Sequence, residues 1–166
     1  MLSDDNLAWC LRQKRGIRII EPNSNLTKAY LKKSISALNT MTAALKINET
    51  DWILTTAYYA RYFALYALLM KIGIKSEIHD CTVSLATLLS QKGILAPDLA
   101  EDLAQSKDMR VDTQYYDIQQ ADHRVIQRNV QGARSFVLEV EKVIEEITAE
   151  QINDVRLHLT RLKETQ

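Results

Sequence analysis

The chain has 166 residues, of which 46% are hydrophobic and 25% are charged, and its 21 basic residues balance its 21 acidic residues. This composition excludes general disorder and predicts a single domain spanning residues 1–166. Zero net charge excludes binding to nucleic acid through bulk charge, so any such binding would need a local patch. Only four glycines and two prolines are present, which favours long helices over a sheet protein with many turns.

The predicted helices follow one another with short connections. Helical spacing of apolar residues predicts helices over about residues 4–14, 25–46, 51–72, 80–93, a short one from 97, 118–147 and 149–163. Gly73 suits the left-handed end of the third of these helices. Thr148 and Gln151 match a capping box at the start of the last helix.

Two other segments are predicted to lie outside helices. Residues 15–23 form an extended stretch that is interrupted by Pro22. Residues 106–117 contain few apolar side chains and are predicted to form a loop or a frayed helix.

The predicted fold class is all-α, an up-and-down bundle of four to five core helices with short helical additions at both termini. The core covers about residues 25–147, with an N-terminal extension over 1–24 and a C-terminal helix within 148–166. Residues 52–70 are long and apolar enough to raise the question of a membrane span. They also contain four tyrosines, two threonines and a central Arg61, so a buried core helix is expected and no membrane association.

The cysteines and the N-terminus are used to predict the cellular compartment. Cys10 and Cys81 have no metal-ligand spacing and do not form the pattern of a disulfide framework. The first residues lack the basic region and apolar run of a signal peptide. A reducing cytoplasmic location is therefore predicted.

Arg61 lies in the most apolar predicted helix. Its guanidinium cannot lose its proton, so it must reach solvent, pair with a buried acid, or bind a phosphate. We predict that an acidic partner or a cleft between two chains accounts for this charge.

A second candidate site lies at Arg110, Tyr115 and Tyr116, before the long helix. Arginine makes forked contacts with phosphates, and tyrosine stacks on bases or donates to a phosphate. The alternative for this segment is a solvated linker.

A third candidate is a run of four cations without an intervening acid: Arg12, Lys14, Arg15 and Arg18. Such a run can hold phosphates, or it can be an ordinary solvated surface. Phosphate-binding loops and metal-ligand motifs are missing from the sequence, so neither a cofactor nor a metal is predicted.

The run over residues 56–89 resembles the second and third helices of HEPN domains (higher-eukaryote and prokaryote nucleotide-binding domains). The matching positions are Tyr58, Tyr59, Ala60, Phe63, Gly73 and His79. Arg110 followed by Tyr115 resembles the family's Arg-x4-Tyr segment before the last core helix. The resemblance covers about residues 25–147.

The resemblance implies a helical bundle that pairs as a homodimer, often beside a small nucleotidyltransferase in a toxin–antitoxin or two-component pair. Active relatives are metal-independent ribonucleases with an Arg-x4–6-His motif in a cleft between the two chains. Here Tyr115 and Tyr116 stand where that histidine is expected, and His123 lies too far along the chain. A tyrosine, with a pKa near 10, cannot replace imidazole as a base at neutral pH.

We therefore predict a protein that binds a nucleotide or RNA with little or no catalysis, and that pairs with a minimal nucleotidyltransferase. A metal-independent endoribonuclease centred on Arg110 is the first alternative, and a purely structural interaction module is the second. The predicted binding residues are Arg110, Tyr115, Tyr116, Arg61, Tyr58 and His79.

Overall fold

The computed structural model describes residues 2–115 and 122–165. Within these ranges the elements are α1 (Leu2–Arg12), β1 (Ile17–Ile19), α2 (Ser24–Lys46), α3 (Thr50–Ile72), β2 (Ile74–Ser76), α4 (His79–Gln91), α5 (Pro97–Tyr115), α6 (His123–Glu146) and α7 (Ala149–Glu164). The predicted all-α bundle is confirmed.

Helix α3 forms the centre of the bundle and packs against α2, α5 and α6. It is apolar on nearly all sides, and most of its side chains are buried, as predicted for a core helix. It ends at Gly73, which adopts a left-handed φ of 83° that favours glycine. Among the described residues, no helix is both long and apolar enough to cross a membrane.

A side chain of α7 caps the C-terminal end of α3. Nη1 of Arg156 donates to the carbonyl oxygens of Ile72 and Gly73 at 3.1 and 2.9 Å, and to that of Ile20 at 2.8 Å. The bonds to Ile72 and Gly73 satisfy carbonyl groups that the end of α3 leaves without helical partners. The predicted capping box of Thr148 and Gln151 is confirmed at the start of α7.

Helix α6 is strongly amphipathic and buries one apolar stripe against the core. Asp122 is its N-terminal capping residue and accepts a hydrogen bond from the backbone N–H of Arg124. The predicted start near residue 118 lies outside the described residues, and the helix begins at His123.

Of the two alternatives for residues 106–117, the loop is wrong for the part that the structure describes, since α5 continues as a helix to Tyr115. The short helix expected from Pro97 is therefore 19 residues long. Polar side chains attach its second half to the bundle: Lys107 pairs with Asp80, and Arg110 lies over tyrosine rings of α3. These contacts join distant parts of the chain, so apolar spacing within the segment could not predict them.

Strands β1 and β2 form a two-stranded antiparallel ribbon beside the bundle. The predicted extended stretch contains β1, in which Ile17 faces Ser76 and Ile19 faces Ile74. The sequence analysis did not predict β2, which follows directly after Gly73. The ribbon thereby fixes the basic N-terminal run next to the end of α3.

Cys10 in α1 and Cys81 in α4 form a disulfide, so the predicted absence of a disulfide framework is wrong. They are 71 residues apart in sequence, and only the packing of α1 against α4 brings them together. Disulfides persist in oxidising compartments and are rare in a reducing cytosol. The cytoplasmic location stays a prediction.

Candidate functional site

Arg110 lies over the tyrosines at the middle of α3. Its guanidinium carbon is 5.1 Å from the ring centroid of Tyr58 and 5.8 Å from that of Tyr59. A guanidinium at this distance is attracted to the electron-rich ring faces. Arg110 is half-buried, which leaves part of the side chain accessible to a ligand.

His79, the first residue of α4, joins the same cluster. Its Nδ1 lies 2.5 Å from the hydroxyl of Tyr58, and its ring stacks on Tyr62 with 4.5 Å between centroids. Tyr58 is fully buried, whereas His79 is half-buried. Tyr58 thus connects Arg110 on one side with the imidazole on the other.

The protonation states in this cluster follow from its burial. Burial, followed by the positive charge of Arg110, lowers the pKa of His79 below its usual value, so the imidazole is neutral at pH 7. Burial, followed by neighbouring Tyr62, raises the pKa of Tyr58, which therefore keeps its proton. In the tautomer in which the Tyr58 hydroxyl donates to Nδ1, the proton of His79 sits on Nε2.

An ion pair connects α5 with the start of α4. Nζ of Lys107 contacts the carboxylate of Asp80, which is the residue after His79. Lys107 lies three residues before Arg110, so the two side chains share one face of α5. Lys107 and Asp80 were not predicted as site residues, because only a regular helix over residues 106–115 has the spacing that places Lys107 beside Arg110.

Arg61 occupies a separate, fully buried position between α3, α5 and α6. Its Nε and Nη2 donate to the two carboxylate oxygens of Asp102 at 2.6 and 3.0 Å. The other bonds go to the carbonyl oxygen of Ala57 and to the carbonyl and side-chain oxygens of Asn129. The prediction of an acidic partner is confirmed.

All five N–H groups of Arg61 are therefore occupied within the protein. The role expected for it in nucleotide or RNA binding stays a prediction, and the geometry assigns this guanidinium to holding three helices together.

The predicted site residues separate into three groups. The structure brings Tyr58, His79 and Arg110 together. It places Arg61 in the core. The Tyr115 side chain and the whole of Tyr116 lie outside the described residues.

The geometry defines a helical bundle with a cationic and aromatic site contributed by α3, α4 and α5. The family model of the HEPN domain matches residues 27–149, which is most of the chain. The chain therefore belongs to the HEPN family, as the sequence resemblance predicted. Membership indicates a function related to nucleotides or RNA. No curated protein matches the chain.

Proposed function

We propose that this HEPN protein binds single-stranded RNA or a nucleotide through the cluster of Arg110, Tyr58 and His79, with little or no cleavage. The observation that carries the proposal is the guanidinium of Arg110, held over Tyr58 next to a neutral imidazole. Arginine suits phosphate recognition because its planar N–H edge contacts two oxygens at once. The Nε2–H of His79 adds a second donor for the same phosphate.

The protonation of His79 supports binding over catalysis. An imidazole that accepts a hydrogen bond from the Tyr58 hydroxyl at Nδ1 presents an N–H at Nε2 instead of a free lone pair. Such a group donates to a phosphate oxygen but cannot abstract the proton of a ribose hydroxyl. Arg110 cannot act as a base either, because a guanidinium offers only N–H donors and no acceptor lone pair.

One observation favours a second candidate function, a metal-independent endoribonuclease. An imidazole does lie beside Arg110, although it comes from the start of α4 and not from the residues that follow Arg110. If the hydrogen bond to Tyr58 reversed, Nε2 would carry the lone pair that general-base chemistry requires.

We expect the Arg110→Ala variant to bind single-stranded RNA roughly tenfold to a hundredfold more weakly, because it no longer has a charged hydrogen-bond donor. Wild type, Arg110→Ala and His79→Ala would each be incubated with labelled RNA in EDTA, and binding and cleavage would be measured together. Arg128→Ala is the matched control, since Arg128 is an exposed arginine of α6.

Three results of this experiment lead to different conclusions. Binding without cleavage, weakened only in the cluster variants, supports the proposal. Cleavage that is abolished in both cluster variants would replace it with the endoribonuclease function. If wild type bound neither RNA nor nucleotide, the interaction module would become the leading hypothesis.

The proposal includes two protein partners, a second copy of the chain and a minimal nucleotidyltransferase in a toxin–antitoxin-like or two-component system. Large apolar side chains that remain exposed support a protein contact: Ile47 is 69% exposed, Leu138 65% and Trp52 61%. We expect sedimentation at micromolar concentration to give the mass of two chains. A clean monomer would contradict the homodimer.

A further inference from the structure

The basic N-terminal run meets α3 at the β1–β2 ribbon. Arg18 and Lys75 are register partners, and both contact the carboxylate of Glu77, at 2.7 and 3.2 Å. Arg15 reaches the same carboxylate at 3.6 Å. The hydrogen bond from Lys75, with the charges of both arginines, lowers the pKa of Glu77, which stays ionised. Three cations thus surround a single anion, and the ribbon is locally basic on a chain of zero net charge.

An aromatic pocket of about 260 Å³ opens beside this ribbon. Its walls include the half-buried rings of Tyr30, Tyr62 and Phe63 and the side chains of Lys33 and Lys75. The ammonium of Lys33 lies 5.1 Å from the ring centroid of Tyr30 and 5.5 Å from that of Phe63. A nucleotide can use both features of this pocket. Its base stacks on an aromatic ring face, and its phosphate contacts a lysine ammonium group.

Aromatic rings connect this pocket to the Arg110 cluster along one face of α3. Phe63 stacks with Tyr59, which lies under Arg110, with 5.7 Å between centroids. Tyr62 lines the pocket and also stacks on His79. Tyr59 and Phe63 are four residues apart in α3, so the two sites lie roughly 6 Å from each other along its axis. That distance is short enough for neighbouring nucleotides of one strand.

We propose that the pocket is a second nucleotide subsite, in which a base of a single-stranded RNA stacks on Tyr30 and Phe63 while its backbone contacts Lys33 and Lys75. The strand runs from Arg110 along α3 to the ribbon, where Arg15 and Arg18 meet further phosphates. A strand fits better than a free nucleotide, because the ring contacts continue from Phe63 in the pocket through Tyr59 to Arg110, which is more than one nucleotide covers. This inference rests on the proposed function of the Arg110 cluster.

The test is binding of a labelled single-stranded RNA decamer, and of AMP, to the full chain across a range of salt concentrations. The paired substitution Lys33→Gln and Lys75→Gln is expected to flatten the dependence of log affinity on log salt by about 0.7 for each phosphate that the variant no longer neutralises. Lys28→Gln with Lys32→Gln is the matched control, because both lysines are exposed on α2 and lie outside the pocket.

Separate variants test whether a base stacks on the aromatic rings and whether positive charge at the ribbon strengthens binding. Phe63→Leu removes a ring and is expected to weaken decamer binding about fivefold or more. Trp9→Leu is its control, since this tryptophan is an exposed aromatic residue of α1 outside the pocket. Glu77→Gln removes the anion that the ribbon cations share and is expected to tighten binding, which the removal of a merely structural ion pair would not do.

The results distinguish this inference from the proposed function. If Arg110→Ala weakens decamer binding while all pocket variants match wild type, the second subsite is wrong and the proposed function stands. If wild type does not bind the decamer, both are wrong. If the pocket variants weaken AMP and decamer binding equally, the pocket holds a free nucleotide and the strand is overturned. Circular dichroism and thermal melting of each variant check that it is folded.

Discussion

The Arg61→Ala variant is expected to lose about 3–5 kcal/mol of its free energy of unfolding. The guanidinium is fully buried and donates all five of its N–H groups to acceptors on α3, α5 and α6. Removing it leaves the oxygens of Asp102 and Asn129 without their donor. Urea denaturation followed by circular dichroism measures the decrease.

The Asp102→Ala variant is expected to lose free energy of unfolding at the upper end of the range given for Arg61→Ala. The Asp102 side chain is 34% exposed and can be rehydrated when Arg61 is removed, whereas Arg61 has no access to water when Asp102 is removed. Arg134→Ala is the control, because this arginine is exposed on α6, and its effect should stay within about 0.5 kcal/mol. An Arg61→Ala variant as stable as the control would contradict a structural role for the buried pair.

Gly132 offers an independent check of the same interaction. A Cβ at this position of α6 would lie 2.6 Å from Nη2 of Arg61. Gly132→Ala is therefore expected to destabilise the wild type, even though alanine stabilises a helix by about 1 kcal/mol over glycine. In the Arg61→Ala background the steric conflict is gone, so the same substitution should be tolerated. A double-mutant cycle measures this coupling.

Reduction of the Cys10–Cys81 disulfide is expected to lower the free energy of unfolding by about 4 kcal/mol. The bond closes a long loop, since its cysteines are 71 residues apart, and it therefore removes much of the conformational freedom of the unfolded chain. The disulfide also cross-links α1 to α4, which begins with His79.

The measurement is urea denaturation with and without dithiothreitol. The double variant Cys10→Ser and Cys81→Ser is the control, and its stability should not respond to the reductant. A wild-type midpoint that is equally insensitive would mean that the bond does not form in solution.

Local signals in the sequence determined the helices and several of their ends. Gly73 permits the left-handed end of α3, and Thr148 with Gln151 caps α7, because both depend on residues within one turn. The apolar stripe of α6 was predictable for a similar reason, since a helix repeats every 3.6 residues. The sequence also indicated that the charge of Arg61 needs a partner, because a buried guanidinium cannot be neutralised.

Only the tertiary structure decided which residues meet. The identity of Asp102 as the partner of Arg61 depends on how α5 packs against α3, across 41 positions of sequence. Helix packing likewise decided that His79 lies beside Arg110 and that Cys10 bonds to Cys81. It also decided that the basic run lies next to the aromatic pocket. The path of α5 through residues 106–115 was missed because distant polar contacts hold it, and periodicity within a segment carries no information about such contacts.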